Sequence, residues 1–426
     1  TATTFTISMW VKRAEPAVGS ATANFMFTTA SDAGLAFGNN STADVLAWYS
    51  GSYTSTTRVF SDQSQWINVV LKSSSGTGTA YVNGVEMLGS LTVNGADATM
   101  AIGSYNNSSN FFDGYMAEVV MIDGTALEPS SFGQVDTSTN RWIPKDVSGL
   151  TFGTNGFYLN FAASGDVGND VSGNNNDFTN NNTVVQTTDS PTTNFATIDG
   201  NNSFGGASAL SEGNLKITGS AATTSCNRLS TLGLTSGKWI IASRPAAAVA
   251  YNCGTYVTNE AGVASNTTSL YNDTSGNYIG LDIASATQIY SQVGVGQTNV
   301  TPSPNFEGGV DYLLLALDAD NNKVYIGWHD VSGSTTYWLN GAAWTGNPVT
   351  GVGGVFISGN EFKFVFASYS GRSGLVDFGQ GTFLSNVTMP TGYIAVSQDN
   401  MAGTDQFISA FSWIKNRDAT DNHMLF

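Results

Sequence analysis

Short runs in which apolar and polar side chains change places at every step restrict this chain more than any other feature. In Phe5-Thr6-Ile7-Ser8-Met9-Trp10-Val11-Lys12, residues Phe5, Ile7, Met9 and Val11 share one face and Trp10 falls on the other. That is the period of a strand with one face in a core. Phe362-Lys363-Phe364-Val365-Phe366 sets three phenylalanines on one face in the same way. Trp66 to Leu71, Thr79 to Val82 and Val85 to Met87 are further apolar runs, the last two separated by Asn83-Gly84, a strong hairpin signal. Met100 to Tyr105 and Tyr115 to Ile122 supply two more strands. No window carries a convincing helical repeat, so an all-β fold of antiparallel sandwiches is expected.

Charge narrows the partners. Lys and Arg number 15 against 32 Asp and Glu, a net charge of −17, and charged residues are 11% of the 426, where about 25% is usual. The surface is therefore uncharged and polar, and nucleic acid and anionic membranes are poor partners for a chain with no basic run. The longest uninterrupted apolar run, Tyr312 to Leu317, is about a third of a membrane span. With no recognisable signal peptide, a soluble chain without membrane insertion is expected. A start at Thr1 without methionine and an end in mid-pattern at Phe426 suggest a piece of a longer polypeptide.

Metal and redox chemistry has little to work with. Cys226, Cys253, His329 and His423 are the only cysteines and histidines, too few and too scattered for zinc, haem or iron–sulfur sites. Two buried free thiols are expected, with a disulfide as the alternative. In the polar run Ser164 to Asn182, the residues Asp170, Ser172, Asn174 and Asp177 offer oxygens to a calcium ion. A set of Asx turns is the competing reading, and no other cofactor is implied.

A search for catalytic groups returns absences. Glu118 and Asp123 are five apart and so face opposite sides of a strand, unlike the paired carboxylates of a glycosidase. No Gly-x-Ser-x-Gly, His-Glu-x-x-His or phosphate-binding glycine loop occurs, and His329 reads as a hydrogen-bonding loop residue. The chain is therefore not expected to be an enzyme. Sugars are held by flat aromatic faces and hydrogen-bonding amides, and three segments offer both. Trp48, Tyr49 and Tyr53 lie in a Ser/Thr/Gly setting; Tyr105, Asn106 and Asn107 precede Asn110 and Asp113; Tyr337-Trp338 and Trp344 bracket Asn340-Gly341. The competing reading of each aromatic is a core or subunit contact.

The series Phe5 to Lys12, Trp66-Ile67-Asn68, Tyr81-Val82-Asn83-Gly84, Ile102-Gly103 and Phe112-Asp113-Gly114-Tyr115-Met116-Ala117-Glu118-Val119 resembles the strands of a laminin-G/concanavalin-like jelly roll. The stretch from Ser130-Phe132-Gly133 through Trp142-Ile143-Pro144-Lys145 and Gly153 to Leu159, ending in Thr188-Asp189-Ser190-Pro191-Thr192, is similar to tail-fibre-like proteins of marine bacteriophages. Gly237-Lys238-Trp239, Leu315-Ala316-Leu317-Asp318 and Val376-Asp377-Phe378-Gly379-Gln380 with Phe383 resemble a SPRY (B30.2-like) sandwich. Ala242-Ser243 stands where that family carries an aromatic-glutamate pair, a departure that bears on peptide binding and leaves the fold expectation intact. Phe411 to Asp418 resembles the opening of a third module.

The resemblance implies two jelly-roll sandwiches in tandem: a concanavalin-like one over 1–163, a polar linker over 164–205, a SPRY-like one over 206–398, and the start of a further module over 399–426. It implies a virion tail fibre or receptor-binding protein, a homotrimer among other tail proteins, that adheres to a host-surface glycan. A purely structural fibre or adaptor and a capsule-degrading enzyme are the alternatives. In this reading the first sandwich takes a neutral or weakly basic saccharide through the Trp48–Tyr53 and Tyr105–Asp113 loops. Truncating Trp48 or Tyr105 then harms attachment more than stability.

Overall fold

The computed structural model describes residues 3–14, 22–29, 33–94, 100–181, 184–220, 225–246, 253–259, 278–285, 288–292, 297–302, 305–369 and 371–401. The chain is all-β, two antiparallel sandwiches in tandem. In the first, a six-stranded sheet runs in the order Phe157–Leu159, Gly114–Asp123, Phe5–Arg13, Ile67–Ser74, Thr77–Val82, Val85–Thr92. It faces a five-stranded sheet ordered Tyr53–Val59, Val45–Ser50, Ala33–Phe37, Asn24–Thr28, Ala101–Ile102. Phe5, Ile7, Met9 and Val11 enter one core with Leu35, Phe37 and Leu46, as the period-2 pattern requires. Asn83 and Gly84 both have positive φ, 48° and 77°, the two-residue turn whose twist suits a hairpin. A side chain at Gly84 would also meet the Trp142 ring at 2.9 Å.

The other face of the six-stranded sheet is covered as well. Val70, Val120 and Ile122 pack there against Phe132, Val147 and Phe152, from a segment containing the hairpin Gly133–Asp136 and Arg141–Pro144. Trp142 of that hairpin donates its indole N–H to Asn68 Oδ1 at 3.3 Å. The Phe132-Gly133 and Trp142-Ile143-Pro144 blocks are therefore a cover, and Trp10, though it points away from the main core, is buried.

The second sandwich sets a seven-stranded sheet against a nine-stranded one. Phe362, Phe364 and Phe366 meet Leu313, Leu315, Leu317 and Trp239 in its main core. Tyr312, Leu314 and Ala316 point the other way, onto Leu384, Val387 and Tyr393, which is why this strand reads as an unbroken apolar run. The Asp377 carboxylate accepts the backbone N–H groups of Gly379, Gly381, Phe383 and Leu384 at 2.7, 2.9, 2.8 and 3.0 Å, so the Asp-Phe-Gly-Gln block is a loop anchor. Among the described residues helix is confined to Gln398–Met401 and the 3-10 turns Pro129–Ser131 and Leu384–Asn386. The third module expected after 398 lies outside the described residues from 402 onward.

Cys226 is buried and outside any disulfide, its thiol donating to the Ala207 carbonyl. Cys226 and Cys253 pair with Ser368 from opposite sides, on the strands flanking Phe362–Tyr369. Two strand spacings put their Cα atoms about 10 Å apart, beyond the ~7 Å a disulfide can span.

The region expected as a polar linker, 164–205, is corrected in two respects. Ile198–Gly205 is an edge strand of the seven-stranded sheet, and Ala196 and Ile198 already belong to the second core. The sequence hides this strand because an edge strand with Asp199, Asn201, Asn202 and Ser203 shows little alternation. The earlier part, Ser164 to Asn181, lies along the first sandwich, with Phe178 packed edge-on against Phe157 at 4.8 Å between ring centroids.

Asp170 organises that run. Oδ1 accepts the N–H groups of Tyr158 and Ser172 at 2.8 and 2.9 Å, and Oδ2 accepts Ser172 Oγ–H and Asn176 N–H, both at 2.9 Å. Asp177 Oδ1 accepts the N–H of Asp170 at 2.8 Å, and Asn174 turns its amide N–H groups to the Gly153 and Gly156 carbonyls. The expected calcium ligands are thus engaged in hydrogen bonds of the run itself, Asp170 and Asp177 as acceptors and Ser172 and Asn174 as donors, and among the described residues no group of three or more metal-ligating side chains gathers. Burial acts to raise the Asp170 pKa, but the donated hydrogen bonds outweigh it and hold the carboxyl below its ordinary 3.8. A depressed folded-state pKa gives stability that is fully present above the unfolded value and is lost as pH falls through the folded one. Protection factors for hydrogen exchange at the Tyr158, Ser172 and Asn176 amides are therefore expected to fall below about pH 4, and in Asp170→Asn to be lower at neutral pH already. Equal protection at pH 7 and pH 3 would contradict this.

Candidate functional site

The two sandwiches meet at a buried polar joint. Lys12, which alternation sends out of the first core, is fully buried and spends its three N–H bonds on Asp189 Oδ2, Asn194 Oδ1 and the Phe195 carbonyl at 2.9, 3.0 and 2.5 Å. Asp189 Oδ1 accepts the Trp66 indole N–H and the Phe195 N–H at 3.0 and 3.1 Å. Burial pushes the Lys12 pKa down, against the opposing pull of the Asp189 charge and hydrogen bond. Gln63 Oε1 accepts Gly200 N–H and Asn214 Nδ2–H at 2.8 and 2.9 Å, and Tyr115 donates its hydroxyl to the Gly213 carbonyl at 2.6 Å. These bonds bind the first sandwich to residues 189–214 and fix the second relative to it.

On the first sandwich the structure brings together two of the segments expected to bind sugar. Val45–Ser50 and Tyr53–Val59 are paired strands, with Tyr49 opposite Tyr53, so neighbouring side chains point to opposite faces. Trp48 points inward: it is 2% exposed, packs on Phe27 and donates its indole N–H to the Thr92 carbonyl at 3.0 Å. Its assignment as a loop aromatic is corrected; it is a core residue with no face for a ligand. Tyr49 points outward and meets Tyr53 at 4.8 Å and Tyr105 at 6.0 Å between ring centroids, with Tyr105 resting on Phe25 at 5.0 Å. The three half-buried tyrosines make one aromatic surface on the outer face of the five-stranded sheet. Burial, with Tyr49 and Tyr105 alongside, pushes the Tyr53 phenol up, so it stays neutral.

The Gly103–Asp113 loop beside this surface is held rather than loose. Asn106, Asn107 and Asn110 adopt left-handed φ of 50°, 59° and 51°, a region asparagine tolerates. Thr28 Oγ1 accepts the Asn106 N–H at 3.1 Å, and Asn110 donates its amide to the Ala23 carbonyl at 3.0 Å. Asn106 and Asn107 stand exposed on the rim. Asp113 is exposed too and does not line the cleft that the loop borders.

That cleft, about 1250 Å³ in volume, runs along the open flank of the first sandwich. One wall is the loop, with Phe111 and Phe112; the other is the Asn160–Asn181 run and residues 184–192, most of it within the span expected as a linker. Glu118 lies on this cleft at a bulge in Gly114–Asp123, with φ of 51°, and accepts a short hydrogen bond from the Tyr158 hydroxyl. Burial pushes the Glu118 carboxyl up, with the Tyr158 bond opposing it. The other carboxylates on the walls are engaged as well, Asp177 by its Asp170 bond and Asp189 by Lys12. Sequence reading missed this cleft because its second wall is a polar run of ordinary appearance; Phe161 and Phe178, apolar residues within that run, were the available signal.

The third expected segment is corrected. Trp338 is buried in the outer core layer of the second sandwich. Trp344 is half-buried, packs edge-on to Trp328 and donates its indole N–H to the Thr301 carbonyl at 2.9 Å, while Tyr337 stacks on Trp328. Tyr337 and Trp344 thus pack onto the core through Trp328 while staying half-buried, and Trp338 is the one buried within it. His329 sits within the strand Lys323–Asp330, buried, its Nδ1 bonded with Thr336 Oγ1 at 2.9 Å, and is not a loop residue.

Residues 1–131 match the concanavalin A-like lectin/glucanases superfamily. No curated protein sequence matches the chain. Among solved structures, the chain is similar to the SPRY domain of human HERC1, at 14% identity over 43% of this chain and 99% of that one, with a TM-score of 0.31. A carbohydrate-binding protein from Bacteroides ovatus is similar at 18% identity over 40% of this chain and 50% of that one, TM-score 0.31. Domain 4 of AbnA, an extracellular arabinanase of Geobacillus stearothermophilus, is similar at 22% identity over 30% of this chain and 65% of that one, TM-score 0.25.

Proposed function

We propose that the chain is an adhesive part of a phage particle, a tail fibre or receptor-binding protein that holds a host-surface glycan through its first sandwich without turning it over. The convergence of Tyr49, Tyr53 and Tyr105 into one aromatic surface beside Asn106 and Asn107 carries the binding half of this reading. Flat rings and amides are what a sugar's C–H face and hydroxyls need. The match of residues 1–131 to a superfamily that includes lectins supports it. The non-catalytic half is supported by the carboxylates on the cleft, each already bonded to a protein group. The phage half rests on the resemblance of residues 130–192 to tail-fibre-like proteins.

Single sugar sites bind weakly, on the order of millimolar, so useful adhesion comes from several copies together. Light scattering on the intact polypeptide is expected to return a homotrimer; a monomer at micromolar concentration contradicts that. Tyr49→Ala/Tyr53→Ala is expected to weaken attachment of the multivalent protein to host cells about tenfold or more, while stability falls by only about 1–2 kcal/mol. Normal attachment of this variant would remove the site. The polar joint supports a second reading, a rigid spacer between other fibre parts, for which the same variant attaches normally because nothing binds there.

A further inference from the structure

The cleft has a chemical bias of its own. The strand Phe157–Leu159 pairs only with Val119, Val120 and Met121, so among the described residues no strand covers Gly114 to Glu118 on that side, and the cleft runs past this edge. Its rim holds unusual apolar exposure: Phe111 is 50% exposed, Val184 59% and Val185 72%. Amides of Asn107, Asn160 and Asn180 line it with these residues, the Asn160 oxygen also accepting the Ala162 N–H at 3.0 Å, and an amide can both donate to and accept from a hydroxyl. Among the described residues the walls include no lysine, arginine or histidine, and their charged members are Glu118, Asp177 and Asp189. At about 1250 Å³, the space exceeds the roughly 300–1,000 Å³ typical of a pocket for one small ligand.

We propose that this cleft binds an extended stretch of an uncharged polysaccharide, and that its cation-free walls with Glu118 turn away uronic, sulfated and sialylated chains. The inference rests on the glycan-binding reading and adds the substrate class and a second surface to it. Apolar faces and amides suit a chain of hydroxyls and C–H faces. A polyanion laid along the same walls loses its counterions and finds no positive partner in exchange, next to a carboxylate at a fixed bulge.

The full chain is passed over immobilised laminarin and mannan as neutral probes, and over alginate and heparin as acidic ones, at low and moderate salt. Retention is expected on a neutral probe and not on the acidic ones. Phe111→Ala, at a half-exposed position, is expected to weaken neutral retention about tenfold, the scale of one lost aromatic platform, with an unchanged melting temperature. Asn180→Lys is expected to gain retention on alginate. Acidic probes held as well as neutral ones would overturn the proposal. Wild-type retention on neutral probes that neither substitution alters would also overturn it, while leaving the glycan-binding reading standing. Retention on no probe of either kind counts against both.

Discussion

Asp189→Ala is expected to lower folding stability by about 3–5 kcal/mol, the scale of breaking a buried ion pair by removing one partner. Lys12 and Asp189 are both 0% exposed in their side chains, so the substitution strands an ammonium in the interior. It also orphans the Trp66 indole N–H and the Phe195 N–H, which the same carboxylate accepts. For that reason Lys12→Met/Asp189→Leu is expected to recover only part of the loss: the charge is gone, but each unpaired donor still costs about 1–3 kcal/mol. Calorimetry gives a second readout. Because Asp189 sits between the sandwiches, the wild type is expected to unfold in one transition and Asp189→Ala in two, as the sandwiches uncouple. A variant with wild-type stability and a single transition would show that the joint does not couple them.

Trp48→Ala is expected to cost about 3–5 kcal/mol, as truncation of a buried aromatic does, with attachment lost only as far as folding is lost. The ring fills the first core beside Phe27, and its N–H is committed to the Thr92 carbonyl. This reverses the expectation drawn from sequence, in which Trp48 was a loop platform whose removal spared stability. Urea titration of Trp48→Ala beside Tyr49→Ala/Tyr53→Ala separates the two roles: a large shift in midpoint for the first, a small one for the second. A Trp48→Ala midpoint within experimental error of wild type would refute the core assignment.

The contrast between Trp48 and Tyr49 shows what was legible in the residues and what was not. Period-2 alternation is local, so the Phe5–Val11 and Phe362–Phe366 faces and the Asn83-Gly84 turn could be read directly, and the all-β class with them. The Trp48–Tyr53 segment is so rich in Ser, Thr and Gly that it looks like a loop, and only its pairing as a hairpin shows that adjacent aromatics part to opposite faces. The joint was out of reach for another reason. Lys12 and Trp66 are far in the chain from Asp189 and Asn194, and each is unremarkable alone; only the fold shows that the Thr188-Asp189-Ser190-Pro191-Thr192 block places a carboxylate against the first sandwich. The cleft wall was hidden by composition, since an Asn-rich run pinned by Asp170 looks the same as a solvated linker until its Asx bonds are drawn.

The central claim is that a glycan rests on the first sandwich and leaves intact. Hydrogen exchange of the full-length protein, with and without whichever neutral polysaccharide retains it, tests this most directly, with the released sugar assayed in the same sample. The account predicts added protection confined to the Gly103–Asp113 loop, the Tyr49–Tyr53 hairpin and the Asn160–Asn181 run, with no oligosaccharide released. Protection confined to the second sandwich, or release of oligosaccharides as the incubation proceeds, would contradict it.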